Sequence, residues 1–188
     1  MNQDRTKWNK RYLDKTKGEP TPPVFLINNW QLLTPGRVLD VAAGDGAASL
    51  FLAQKTGFRV TAVDIAEEGL KRLSAFAAQR DCTIETCCID LDQAEQINSL
   101  GCFDSVVISY FKPSPVMFNQ LIKQISPGGT LLITTYNLQH HETKGFPARF
   151  CLAPGELQRI SSRLQLVKYE SESGEKGCFD SYLFEKLP

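Results

Sequence analysis

Between Arg37 and Ala53 the chain runs Arg-Val-Leu-Asp-Val-Ala-Ala-Gly-Asp-Gly-Ala-Ala-Ser-Leu-Phe-Leu-Ala, and Val60-Thr-Ala-Val-Asp64 follows shortly after. This order predicts a buried strand, a turn of small residues, a helix, and a second strand that ends in an acid. Small residues at Ala42, Gly44 and Gly46 let a ligand approach the backbone, because a larger side chain would stand where the ligand must sit. Asp64, eighteen residues beyond Gly46, is placed to accept hydrogen bonds from the two hydroxyls of a ribose. The pattern therefore points to a nucleoside-like ligand.

Two further acids narrow the choice of ligand. In a nicotinamide-binding turn the phosphates rest on the helix N-terminus, where an acidic side chain repels them. Here Asp40 and Asp45 both crowd the turn. A dinucleotide fingerprint anchored on Gly44 and Gly46 would also want glycine at the position held by Ser49. A ligand with an ammonium and a sulfonium, and no phosphate, suits this turn better. S-adenosyl-L-methionine is thus preferred to NAD.

With these residues in place, the chain resembles the class I S-adenosylmethionine-dependent methyltransferases, whose first motif is an acid followed by alternating small residues. Asp40, Ala42, Gly44 and Gly46 match it, Ala42 standing for a usual glycine. The resemblance runs from Trp8 to about Phe184. Within the class it is most similar to the small single-domain tellurite-resistance and thiopurine-methyltransferase-like enzymes. Their opening Trp-x-x-Arg-Tyr pattern occurs as Trp8 to Tyr12, and their Pro-Gly-Glu-Leu as Pro154 to Leu157.

Periodicity predicts a helix over 4–16, with Trp8 and Tyr12 on one face and Arg11 beside them, and a second helical stretch over 24–33. Strands are then expected at 37–42, 59–63, 83–89, 103–109, 129–135, 164–170 and 178–185. Helices are expected at 46–56, 67–80, 92–99, 114–125 and 154–162. Runs such as Ser105-Val-Val-Ile-Ser109 are apolar throughout, as strands buried on both faces must be. The expected fold class is α/β: a doubly wound, mostly parallel seven-stranded sheet, Rossmann-like, with an antiparallel last strand after a turn at 171–177. All of 1–188 reads as one domain, with 1–33 as an N-terminal helical cap and 136–153 as a lid loop.

Lysine plus arginine and aspartate plus glutamate each count 21, and no basic block stands out, which argues against a nucleic-acid partner. No apolar run approaches the roughly 20 residues of a membrane span, and the polar N-terminus lacks the apolar core of a secretory signal. The expectation is a cytoplasmic monomer or homodimer acting on a small molecule. The six cysteines form no paired framework and read as buried thiols, with no metal site expected. Adjacent Cys87 and Cys88 would point to opposite faces of a strand, which hinders joint ligation of a metalloid.

The rim at the carboxyl ends of the strands gathers Asp40, Asp64, Asp90 and Ser109. Asp64 is expected to hold the ribose and Ile65 to pack on the adenine. The resemblance implies that Asp90, or the backbone after it at Leu91, reads the adenine amino group; the alternative is that Asp90 caps the next helix. Asp40 either takes the cofactor ammonium or fixes the turn, and Asp45 is open to a merely exposed role. Arg11 is matched to the cofactor carboxylate, with a plain helix-surface arginine as the alternative. Tyr110 and Phe111 either enclose the sulfonium through cation–π attraction or belong to the core. The chain lacks the Asn/Asp-Pro-Pro-aromatic motif of adenine and glutamine methyltransferases here. His140 and His141 are candidate general bases, set against ordinary loop histidines. Arg149 is a candidate anion clamp, or a salt-bridge partner of Glu156. The predicted chemistry is in-line methyl transfer to a small-molecule acceptor, which needs no obligatory base because the cofactor is already activated. The rival functions are a non-catalytic cofactor sensor and an NAD-linked oxidoreductase.

Overall fold

A computed structural model describes residues 2–16 and 18–188. Seven strands, β1 (Gly36–Val41), β2 (Phe58–Asp64), β3 (Ile84–Cys88), β4 (Phe103–Ser109), β5 (Ile125–Tyr136), β6 (Leu164–Gly174) and β7 (Gly177–Lys186), form one sheet in the order β3-β2-β1-β4-β5-β7-β6. Neighbours from β3 to β5 pair in parallel, whereas β7 is antiparallel to both β5 and β6. The strand order reverses between β1 and β4, and at that switch point an open α/β sheet has room for a ligand.

Among the described residues seven α-helices accompany the strands: α1 (Asn2–Leu13), α2 (Val24–Asn29), α3 (Ala47–Ala53), α4 (Glu67–Gln79), α5 (Ala94–Asn98), α6 (Pro115–Gln124) and α7 (Leu138–Lys144). Helix α6 starts where its sequence dictates: Ser114 accepts a hydrogen bond from the Met117 amide, Pro115 occupies the first turn, and Met117, Phe118, Leu121 and Ile122 are buried. Together with α5 it covers the face of the sheet that bears Leu39, Val41, Val106, Ile108, Leu131 and Ile133. The other face carries Val38, Val60, Val107, Leu132 and Leu183 against Phe25 and Leu26 of α2 and Leu52 of α3. Both layers are apolar, which explains the near-continuous hydrophobicity of the central strands.

The architecture matches the sequence reading, and four local expectations change. The lid loop is partly helical, because α7 is capped by Asn137 and closed by left-handed Gly145, followed by a short 3-10 turn at Ala148–Phe150. The stretch 154–162 forms successive turns rather than a helix. Gly155 sits at φ +69° and breaks the run, and the bonds from the Glu156, Gln158 and Ile160 amides each reach back only three residues. The hairpin turn is shorter than 171–177, since the β6–β7 ladder continues to Gly174 opposite Gly177. Strand β5 begins at Ile125, with Pro127-Gly-Gly absorbed as an irregularity where pairing jumps from Phe103–Ile125 to Ser105–Thr130.

Asp180 on β7 stitches the antiparallel edge to the rim. Its carboxylate is 1% exposed and accepts hydrogen bonds from Asn137 Nδ2 (2.9 Å), Ser171 Oγ (2.8 Å), Tyr169 Oη (3.2 Å) and Tyr182 Oη (3.3 Å). Removing the shared acceptor strands all four donors. Asp180→Ala is therefore expected to destabilise the protein by about 2–4 kcal/mol in urea unfolding. A loss within experimental error would show that the network contributes nothing to stability.

Candidate functional site

Asp64 closes β2 as a clamp between two backbone segments. Its Oδ2 accepts the Gly44 amide at 2.8 Å and its Oδ1 the Ala66 amide at 2.7 Å. One carboxylate thus fixes both the glycine turn and the entry to α4. Burial pushes its pKa up, against the pull of the Ala66, Gly44 and Ile65 amides. The carboxylate retains acceptor capacity for a further donor.

The turn itself is left-handed at Ala42 (φ 55°), Gly44 (φ 57°) and Gly46 (φ 86°). Alanine at such a φ is strained, which explains why a glycine is the usual occupant of the first position. A Cβ on Gly44 would collide with the Tyr12 hydroxyl. Helix α1 therefore lies across the turn, as the Trp8/Tyr12 face suggested. It is held there by Asn9 Oδ1, which accepts the Glu68 amide at 3.0 Å. The closeness of Asp64 and Asp45 adds to burial in raising the Tyr12 phenol pKa well above its ordinary value.

Asp40, 1% exposed, accepts from Ser49 through the amide (3.0 Å) and the hydroxyl (2.6 Å), both on Oδ2. Its Oδ1 is buried without a hydrogen-bond partner. Burial pushes the carboxyl up to about 7, the Ser49 bonds oppose this, and nearby Asp64 adds a smaller upward push. Asp45 is not solvent-exposed. It is 5% exposed and paired with Lys15 (2.6 Å) and Arg72 (3.4 Å), a clasp between the turn, α4 and the chain after α1.

The remaining candidates divide between the rim and the core. Asp90 makes the turn before α5, accepting the Asp92 amide at 3.1 Å, while Leu91 is buried in the core cluster. Ile65 is half-buried beside Asp64. The Arg11 guanidinium lies 5.0 Å from the Trp8 ring centroid; burial raises the pKa of the Tyr136 phenol, and the charge of Arg11 opposes that rise only in part. The Ser109 hydroxyl is buried without a partner. Phe111 packs against the core, so of the two aromatics only Tyr110 reaches the rim.

His140 is buried, stacked on Tyr136 at 4.2 Å, and its Nδ1 accepts the Cys178 amide at 3.3 Å. With Nδ1 accepting, the proton of the neutral ring sits on Nε2, which is therefore a donor, and burial lowers the pKa of the ring. His141 is exposed, with Nδ1 2.7 Å from the Phe146 carbonyl. Arg149 stacks over Phe150 at 4.5 Å, and Glu156 pairs instead with Lys112 at 2.8 Å. Among the described residues no group of three or more His, Cys, Asp or Glu side chains could hold a metal.

Sequence reasoning did not foresee the clasp of Lys15, Arg72 and Asp45, or the aromatic group of Tyr110, Tyr136, Phe146 and Phe179. Tyr136 lies 6.0 Å from Tyr110, 4.6 Å from Phe146 and 5.1 Å from Phe179. Its members come from four segments, and only the fold brings them together.

Asp40 gives this site a pH signature. Its folded-state pKa of about 7 exceeds the ordinary 3.8, so the fold prefers the protonated acid. That stabilisation is complete below the ordinary value and is lost as pH rises through about 7. Asp40→Asn is expected to melt higher than the parent at pH 8 and much less so at pH 5. Each kcal/mol of relieved charge is worth about 2–4 °C. Equal melting differences at both pH values would show that Asp40 is not an uncompensated charge.

A model of the family described as tellurite resistance protein TehB matches residues 7–181. The ubiquinone biosynthesis O-methyltransferase of Idiomarina loihiensis is 30% identical over 116 residues, covering 60% of this chain and 47% of that protein. The chain spans less than half the length of the curated relatives it matches. The crystal structure of TehB from Haemophilus influenzae superposes with TM-score 0.70 at 20% identity, over 86% of this chain and 61% of that one. N-methyltransferase NodS from Bradyrhizobium japonicum, in complex with S-adenosyl-L-homocysteine, gives 0.74 at 17% identity, over 97% and 98%. At such identities the two structures establish the shared fold.

Proposed function

Because the chain belongs to the TehB tellurite resistance protein family, we propose that it is a single-domain enzyme transferring a methyl group from S-adenosyl-L-methionine to a small-molecule acceptor. The observation that carries this reading is the pair of buried carboxylates, Asp40 and Asp64, at the switch point of the sheet. Asp40 keeps a carboxylate oxygen with no partner, and neither acid is in an ion pair among the described residues, whereas Asp45 beside them is neutralised. A cation completes such a site; a diphosphate meets repulsion. Related folds were solved with S-adenosylhomocysteine or S-adenosylmethionine.

In this reading Asp64 accepts from the ribose hydroxyls, and Ile65 and the Asp90–Leu91 backbone border the adenine. Ala42 borders the cofactor along the turn, the positions a Cβ would take at Gly44 and Gly46 being filled by Tyr12 and Leu73, and Arg11 pairs with the cofactor carboxylate. Asp40 and Ser109 face the cationic end. When bound, the cofactor supplies a methyl carbon already activated by its sulfonium charge and leaves as S-adenosylhomocysteine. The chain's own work is alignment and exclusion of water: Tyr12 covers the turn, and Tyr110 stands at the exit from the β4 rim. Metalloid oxyanions, thiols, phenols, quinones and amines remain the acceptor classes to be compared, and His140 or His141 is required only for an acceptor that must lose a proton.

Calorimetry decides between the cofactors. S-adenosyl-L-methionine is expected to bind about tenfold more tightly at pH 8 than at pH 6, because cation binding favours ionised Asp40. Asp40→Asn is expected to flatten that profile, and Asp64→Asn to weaken binding roughly 10–100-fold. Binding of NADH with no response to S-adenosylhomocysteine would overturn the proposal. A protein that binds the cofactor and methylates no acceptor would instead be a sensor.

A further inference from the structure

A cleft of about 490 Å³ opens beside this site, between Thr21 and Pro22 of the segment after α1 and the tip of the β6–β7 hairpin, with Tyr110 and Phe179 in its wall. Tyr110 immediately follows β4 and holds a left-handed backbone at φ 59°, a conformation a bulky residue keeps only where its surroundings impose it. The imposing contacts are its amide, which donates to the Thr134 carbonyl at 2.7 Å, and its ring, edge-on to Phe179 at 5.5 Å. The phenol ring is thereby aimed outward, 40% exposed. The next residue back is Ser109, whose buried hydroxyl has no partner. It lies two positions beyond Val107, on the sheet face that also carries Leu132 and Leu183.

The charges around the cleft are uneven. Among the described residues, Glu172 and Glu175 line it against one cation, Lys176. Burial, then Tyr136 and Glu172, push the Tyr110 phenol up to about 12, so it stays neutral and keeps its ring available to a cation. Among the described residues no arginine lines this cleft, and an oxyanion entering it would meet two carboxylates at the mouth. An ammonium finds ring faces inside and a carboxylate outside, each favourable to positive charge.

We propose that this cleft is the acceptor site and that its acceptor is an organic amine carried on an apolar or aromatic body, with its nitrogen held against Tyr110 and Phe179 and Glu172 at the mouth. The assignment rests on the methyl-transfer reading above. The bound ammonium first gives one proton to water. Its lone pair then forms the N–C bond as the S–C bond breaks, yielding a methylammonium and neutral S-adenosylhomocysteine. Positive charge passes from sulfur to nitrogen, and the aromatic wall faces the atom on which that charge develops.

The test uses the full chain saturated with S-adenosylhomocysteine, whose own affinity is measured first. Calorimetric titration with benzyltrimethylammonium is expected to show binding, and titration with benzoate or selenite none. Glu172→Gln is expected to weaken the cation about tenfold, and Tyr110→Leu at least as much, with S-adenosylhomocysteine affinity unchanged in the exposed Glu172 variant. Labelled methyl transfer to benzylamine, and not to selenite, is expected to follow the same order. Binding of selenite or benzoate in place of the cation, or cation binding indifferent to Glu172→Gln, overturns the amine assignment and leaves methyl transfer standing. Failure to bind S-adenosylhomocysteine removes the reading beneath it.

Discussion

One carboxylate, Asp64, joins the parts of this molecule that a ligand would have to touch. By accepting the amides of Gly44 and Ala66 at once, it locks the glycine turn after β1 to the start of α4 after β2. Those two segments are otherwise joined by the parallel pairing of their strands and by the Asp45–Arg72 pair. The rest follows in order. A fixed turn sets left-handed Gly46 against Leu73 of α4, and the absence of a Cβ at Gly44 admits the Tyr12 hydroxyl. Helix α1, polar and weak in apolar contact, then owes its position to a few specific bonds: Asn9 to the Glu68 amide, and Lys15 to Asp45. A cap held in this way lifts at lower cost than one packed into a core, which suits an element that must let a ligand pass.

The central fold was legible because the inner strands β1, β2, β4 and β5 are largely buried on both faces, unlike edge strand β3, and the helices between them are apolar on one. Ser105 to Ser109 and Leu70, Leu73 and Phe76 of α4 show the two periods without ambiguity. The acidic ends of β1 and β2 were legible for a related reason: an Asp that terminates an apolar run stands out, and Asp40 and Asp64 do lie together. Legibility failed where side chains rather than periodicity decide. Asp45 read as a surface acid because its partners, Lys15 and Arg72, are 30 and 27 residues away. The segment 136–153 read as a lid loop without a helix because the α7 cap depends on Asn137, whose amide is in turn oriented by Asp180 across the sheet. A single glycine, Gly155, turned an expected helix into linked turns.

The acceptor side shows the same limit more sharply. Tyr110, Tyr136, Phe146 and Phe179 are ordinary apolar residues in their own segments, and nothing in local spacing marks them as a group. They meet because β7 runs antiparallel between β5 and β6, which carries Phe179 up to Tyr136 in the ladder. This reversal sits at the strands most remote from the glycine turn. A fold can therefore keep its nucleoside end constant while the far edge is rebuilt, as the varied names of the relatives sharing this fold suggest.

The three rim acids show why burial alone does not define a ligand site. Asp45 is as buried as Asp64, yet Lys15 and Arg72 satisfy it inside the protein, and it calls for nothing from outside. Asp64 is satisfied by amides, which stabilise its charge without cancelling it. Asp40 has a hydroxyl and an amide on one oxygen and nothing on the other, so its cheapest empty state is the protonated acid. A buried carboxyl poised near neutrality at the carboxyl end of β1 gains most from a cation that arrives with hydroxyls for its neighbour. That gain is withheld from any ligand whose nearest group is a phosphate, and it is this asymmetry, more than the glycines that dinucleotide sites also possess, that favours a sulfonium nucleoside.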